Sequence, residues 1–212
     1  MSRGISIKLL ESNSQIAAKI NKSIAEQINK RIAKNKRNVI RSLKSAVGGW
    51  VRSSPEVGSL LSKSVGGSLS SQFGLTAVQA DAAVNRIVSA VSDSLIVTLK
   101  PVDSKLKSTI DFRFQKTDFL NLLSLSEGHV ITEKGQDLHW LDWLIMKGDI
   151  TIVLGYSYVA GPVGRSGGGE MNIGGMWRVP PEFSGTQGNN FITRALDGHE
   201  KEIHKILEGL LV

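Results

Sequence analysis

Isoleucine recurs at every fourth position from Ile16 through Ile20, Ile24 and Ile28 to Ile32, with polar and basic residues between. No proline interrupts the stretch, and Ala17, Ala18, Ala25 and Ala33 favour helix. The pattern predicts one long helix from Ile7 to Val47, closed by Gly48-Gly49. Such a helix would span roughly 60 Å at 1.5 Å per residue. A four-residue repeat drifts by about 40° per step on a helix of 3.6 residues per turn, so the apolar stripe winds around the surface. A straight two-stranded seam would use heptads instead. A winding stripe touches several surfaces in turn, which suits an arm covered by neighbouring subunits.

The pattern then loosens. Residues 53–75 are rich in Ser and Gly, with Ser54-Pro55-Glu56 as the start of a short helix. Thr76 and Gln79 form a capping box, and Val84, Ile87, Val88, Val91, Leu95 and Leu99 continue a helical period. Leu95-Ile-Val-Thr-Leu99 also has strand composition, but the period predicts helix up to the residues before Pro101, which must end it. Ile110, Phe112 and Phe114 alternate with Asp111 and Arg113 as in a half-buried strand. Short helices are predicted from about Asp118 and over Leu138–Met146, the latter stopped by Gly148. Its Trp140, Leu141, Leu144 and Ile145 face a core, and the Trp140 indole N–H needs a partner.

Ile150–Leu154, continuing to Tyr158, has the strongest strand signal. The loop from Gly161 to Gly175, a brief strand over 176–179 and a stiff turn from Pro180 follow. A final helix from about Asn190 is expected to bury Ile192, Leu196, His199, Ile203, Leu207 and Leu210 on one face, continuing past Gly198 at a cost of about 1 kcal/mol. The order predicts an α+β fold: a long N-terminal helix, further helices, a small mainly antiparallel sheet and a closing amphipathic helix. Three regions are expected: a basic helical arm (1–52), a Ser/Gly-rich connector (53–75) and an α+β domain (76–212).

Charge sharpens this division. The chain of 212 residues has 26 Lys and Arg, 19 Asp and Glu, and a formal charge of +7. Up to Arg52, twelve basic residues face Glu11 and Glu26, which leaves fourteen basic and seventeen acidic groups for the remainder. The whole positive excess therefore lies in the first quarter, with Lys30, Arg31, Lys34, Lys36, Arg37, Arg41 and Lys44 at its centre. Such asymmetry points to nucleic acid or an acidic partner, against the simpler alternative of a solvated helix face. There is no cysteine, hence no disulfide, thiolate metal site or cysteine nucleophile. No apolar run approaches membrane-spanning length, and the opening MSRGISIKLL lacks the features of a secretory leader.

Catalytic patterns fail on their spacing. In His199-Glu-Lys-Glu-Ile-His204 the histidines stand five apart, whereas a zinc-protease helix needs them four apart on one face. The segment Gly161–Glu170 lacks the lysine and following helix of a phosphate loop and the surrounding βαβ unit of a dinucleotide site. Asp142, Glu127 and Glu133 carry no spacing that would set two carboxylates across a cleft. No G-x-S-x-G elbow occurs. The expectation is a protein without catalytic residues, metal or cofactor.

Two stretches resemble a known family. Lys100-Pro-Val-Asp-Ser-Lys-Leu-Lys-Ser-Thr-Ile110 is similar to the P-V-D-T-G-x-L-x-x-S-I signature of tailed-bacteriophage minor tail-component, or tail-completion, proteins. Pro101, Val102, Asp103, Ser104, Leu106 and Ile110 match in order, with a lysine in place of the glycine and one residue fewer before the strand. Gly188-Asn-Asn-Phe-Ile-Thr-Arg-Ala-Leu-Asp197 is similar to the family's P-F-L-R-P-A-L-D, without its prolines. The resemblance covers residues 76–212. It implies a helix entering the first motif, a strand leaving it and a closing helix opened by the second.

The resemblance further implies a non-catalytic ring subunit of the virion neck, at the head–tail junction, assembled in the host cytoplasm. Its partners would be copies of itself, other neck, portal-adaptor or tail proteins, and genomic DNA in the lumen, with no membrane. Candidate subunit contacts are Ile20, Ile24 and Ile28 on the winding stripe. Gly167, Gly168, Gly169, Trp177, Pro180 and Phe183 join them, because glycines permit close backbone approach beside a proline-stiffened aromatic turn. The rival readings are a nucleic-acid-binding protein acting through its basic helix and, with least support, a hydrolase.

Overall fold

The computed structural model describes residues 10–62, 66–114, 119–132 and 135–211. Its helices are α1 (Asn13–Arg52), α2 (Pro55–Leu61), α3 (Leu69–Gln72), α4 (Ala77–Ser94), α5 (Leu120–Leu123), α6 (Trp140–Ile145), α7 (Phe191–Ala195) and α8 (Glu200–Glu208). The strands are β1 (Leu95–Leu99), β2 (Ile110–Phe114), β3 (Val130–Ile131), β4 (Asp137–Leu138), β5 (Val153–Ala160) and β6 (Gly169–Trp177). Three separate two-stranded ladders pair β1 with β2, β3 with β4 and β5 with β6. The class is α+β with small antiparallel ladders, as the pattern predicts. The expected helix starts at Ile7 and Asp118, and Glu133, lie outside the described residues.

The compact units do not follow the expected boundaries at 52 and 75. One unit comprises residues 1–42, 97–113 and 201–212, and the other residues 43–96 and 114–200. The reason lies in the last turns of α1. Leu43, Val47 and Val51 are buried, so this end of the helix supplies core to the second unit. Gly48-Gly49 does not close the helix, which runs on to Arg52. Gly48 instead marks a close approach: a Cβ there would stand 2.9 Å from Ser92 Oγ and 3.2 Å from Val88 Cγ1 on α4.

The Ser/Gly-rich segment also belongs to the second core. Ser54 caps α2 and Pro55 opens it, as read from sequence. Leu60, Leu69, Phe73 and Leu75 are buried, and the Ser68, Ser70 and Ser71 hydroxyls are spent on each other and on backbone. Phe73 stacks on Trp140 at 5.5 Å and meets Trp143 and Trp177 edge-on at 5.9 and 6.1 Å. Trp140, Leu141, Leu144 and Ile145 are all buried, and the Trp140 indole N–H finds no partner among the described residues. Glu56 on α2 is also buried, and Arg194 on α7 donates to its Oε1 at 2.5 Å.

Three expectations need correction. Leu95–Leu99 is strand β1, not the end of a helix: α4 stops at Ser94, and the β-branched run pairs with β2. The stretch read as a glycine loop and brief strand contains the nine-residue strand β6, which begins inside the expected loop at Gly169. The closing helix is broken at Gly198, which adopts φ +79°, into α7 and α8. Ile192 and Leu210 are buried, but nothing within α8 is.

Burial along α1 yields a test by urea unfolding. Leu43→Ala should cost about 2–5 kcal/mol, as for a fully packed leucine. Ile20→Ala, at a position 53% exposed, should stay within about 0.5 kcal/mol of wild type. Equal effects would contradict this division of the helix.

Candidate functional site

The basic candidates of α1 separate by helix phase and, for Lys44, which shares the phase of Lys30, by its partner. Lys30, Lys34, Arg37 and Arg41 follow an i, i+4, i+7, i+11 spacing, so they share one face over about 17 Å of helix axis. All four are exposed and none makes an ion pair among the described residues. The other three differ. The Arg31 guanidinium donates to the Leu211 carbonyl at 3.1 Å, Lys36 is half-buried, and Lys44 pairs with Asp93 at 3.2 Å.

The isoleucine stripe is also split. Ile20 and Ile24 are 53% and 40% exposed, whereas Ile16, Ile28 and Ile32 are half-buried. Ile24, Gln27, Ile28, Arg31 and Leu211 line an open recess of about 330 Å³.

The first landmark is the loop between β1 and β2, and its order agrees with the implied one except that a strand follows the helix first. Lys100 N–H donates to the Thr109 carbonyl and Asp103 N–H to the Lys107 carbonyl, which closes the loop. The Asp103 carboxylate accepts from the Lys105 and Lys107 N–H groups at 2.8 and 2.9 Å, an Asx-type turn. The left-handed residue that closes the turn is Leu106, at φ 59°, not the lysine standing where the family has glycine. Sequence reasoning missed Asn29. Its side-chain amide grips the Val102 backbone from both sides, accepting from the N–H at 2.8 Å and donating to the carbonyl at 3.1 Å. Nothing in the sequence links positions 73 residues apart.

The second landmark opens α7. Asn190 is fully buried and caps the helix through the Ile192 and Thr193 N–H groups, while Thr193 Oγ1 accepts from the Asn190 N–H. Capping explains the asparagine, and the Glu56 ion pair explains Arg194.

The glycine-loop candidates are mostly built into their own unit. Gly168, Gly169 and Trp177 are buried, so they are not free to meet another subunit. A Cβ on Gly169 would come within 2.6 Å of the Val159 carbonyl oxygen. Tyr158 O–H donates to the Gly168 carbonyl at 2.7 Å, and the Trp177 indole N–H donates to Gln72 at 3.0 Å. Arg165 donates to the Gly74 and Ile131 carbonyls at 2.8 and 2.9 Å. Gly167 is exposed, and Pro180 and Phe183 are half-buried.

What the hairpin does expose is different. The facing pairs Leu154–Met176 and Tyr156–Ile173 flank the bulge near Gly155, and all four side chains are open to solvent. No third strand pairs with β5 or β6 among the described residues.

Titratable clusters are sparse. His129 and His139 stack at 5.1 Å and both face Asp137, at 2.6 and 3.4 Å, a grouping across the β3–β4 hairpin that sequence reasoning missed. Among the described residues, no group of three His, Cys, Asp or Glu has a metal-holding arrangement. His199 stacks on Trp50 at 4.0 Å, and His204 is exposed on α8. Comparison of the chain with protein-family models, with curated proteins and with solved structures gives no match in any of the three.

Two outcomes are expected at the first landmark. Asn29→Ala leaves both polar groups of Val102 without their partner and should cost about 1–3 kcal/mol, with faster amide exchange at Val102. The Asp103 carboxyl is held below the ordinary aspartate range by the Lys107 N–H, with the Lys105 N–H and the two lysine charges adding. Since its folded value lies below the unfolded one, the ionised group stabilises the loop above about pH 4. That contribution is lost as pH falls through the folded value. A carboxyl NMR titration should show a depressed midpoint; an ordinary or raised one would rule the arrangement out.

Proposed function

We propose that the chain is a structural virion protein of a tailed bacteriophage, a ring-forming neck subunit that joins head and tail as a tail-completion or tail-terminator protein. It has no catalytic activity of its own in this reading. Its partners are copies of itself and the adjacent neck, portal-adaptor or tail proteins, and its site is the head–tail junction, reached after assembly in the host cytoplasm.

The observation that carries the assembly role is the β5–β6 hairpin. Ile173 and Met176 are 89% and 63% exposed on a strand with one edge unpaired among the described residues, and Leu154 faces Met176 from the other strand. Long, apolar, unpaired edges are templates for pairing with another chain. A strand edge on each side of a hairpin offers a heterologous contact, which closes into a ring when the rotation per subunit permits. The two landmarks support the choice of assembly. One follows α4 and β1 and leads into β2, and the other opens the closing helices.

The purified protein should form closed rings by light scattering and negative-stain imaging, and label attached to it should mark the head–tail junction of particles. Ile173→Glu with Met176→Glu should abolish rings while leaving monomer stability within about 0.5 kcal/mol, since both side chains are solvated. A monomer at all concentrations, or label elsewhere on the particle, would overturn the reading.

A further inference from the structure

We infer that the Lys30, Lys34, Arg37 and Arg41 face of α1 is a sequence-independent binding surface for the phosphate backbone of duplex DNA. The inference rests on this helix face and stands apart from ring formation.

Between Glu26 and Glu56 the chain has no acidic residue, and neither Glu26, one turn before Lys30, nor Asp93, which is paired with Lys44, forms an ion pair with the four stripe cations among the described residues. The exposed side chains beside it are small or polar, Ala33, Asn38, Ser42 and Ser45. Four cations on one helix face, about 4.5–6 Å apart along the axis, can each meet a phosphate of a strand that presents one charge per about 3.4 Å, and Asn38 and Ser45 can donate to phosphate oxygens. A single-stranded ligand would call for aromatic platforms among the cations, and residues 27–49 contain no aromatic side chain. An anionic lipid surface would call for an apolar strip to insert. Between residues 30 and 45 Val39 and Leu43 are buried and Ile32 and Ile40 half-buried, so no large apolar side chain is exposed for insertion.

Four phosphate contacts predict a slope of log K against log salt of about −3.5 for duplex DNA, with a dissociation constant on the order of 10⁻⁴–10⁻⁶ M at physiological salt. The test measures binding of the full chain to a 30-base-pair duplex of arbitrary sequence, to the matching single strand and to phosphatidylserine vesicles. The stripe variant carries Lys30→Gln, Lys34→Gln, Arg37→Gln and Arg41→Gln. A control removes the same charge elsewhere, at exposed positions, by Lys100→Gln, Lys105→Gln, Lys201→Gln and Lys205→Gln. Circular dichroism and thermal melting confirm that each variant folds. The milder pair Lys34→Gln and Arg41→Gln should lower the slope by about 2, one for each phosphate contact removed.

The expected result is at least a tenfold loss of duplex binding and a near-flat salt dependence in the stripe variant, with the control close to wild type. Equal losses in stripe and control variants would reduce the effect to net charge and overturn the inference. So would absent binding by the wild type, or tenfold tighter binding of the single strand or the vesicles than of the duplex.

Discussion

The second unit depends on one ring. Phe73 touches Trp140, Trp143 and Trp177, side chains drawn from α6 and from the end of β6. Trp143 and Trp177 also meet each other at 5.5 Å. Aromatic pairs in stacked and edge-on arrangements each add about 0.5–1.5 kcal/mol beyond the area they bury. Remove Phe73 and three indoles lose their common neighbour at once. The Ser/Gly-rich segment around it is thus no linker. Its small side chains let α2 and α3 turn tightly, and the serine hydroxyls satisfy the backbone those turns would otherwise strand.

What was legible in the sequence was whatever depends on local chemistry. The caps at Ser54 and Thr76 and the core face of α6 were readable because each is set by residues a few positions apart. Leu95–Leu99 was misread because its spacing satisfies both periods, and the choice depends on pairing with β2, eleven or more residues away. Gly48 was misread because a glycine that ends a helix and one that lets another helix approach look alike in one dimension. Gly198 shows the converse: the apolar stripe continues across it in sequence, yet the positive φ there stops the helix.

The candidate surfaces follow the same logic. Seven basic residues in a run were legible as a charged segment, but helix phase and tertiary partners divide them into a free stripe and three engaged or half-buried side chains. Helix phase alone would have picked out the stripe together with Lys44, and only the tertiary pair with Asp93 sets Lys44 apart. The engagement of Lys44 by Asp93 and of Arg31 by the Leu211 carbonyl could not be read, since both partners are distant in sequence. Asn29 is the sharper case: its grip on Val102 makes the proline-led loop a fixed feature, through contacts no motif encodes.

The β5–β6 hairpin joins fold to surface most directly. A two-stranded ladder is marginal in water on its own, so this one must be held from outside. It is held at its ends. Trp177 anchors the open end in the aromatic cluster, and at the other end Tyr158, Arg165 and Ser166 bond to backbone or side chains of the loop, of α3 and of residues 74 and 131. The middle, where Gly155 opposes Gly174-Gly175 at the bulge, has no such anchor among the described residues and carries the exposed apolar pairs. Glycine there weakens the strand while keeping its edges clear of side chains. Stability from the ends is what allows an apolar, unpaired centre to persist in a folded chain, and that centre is the surface with most to gain from a neighbour.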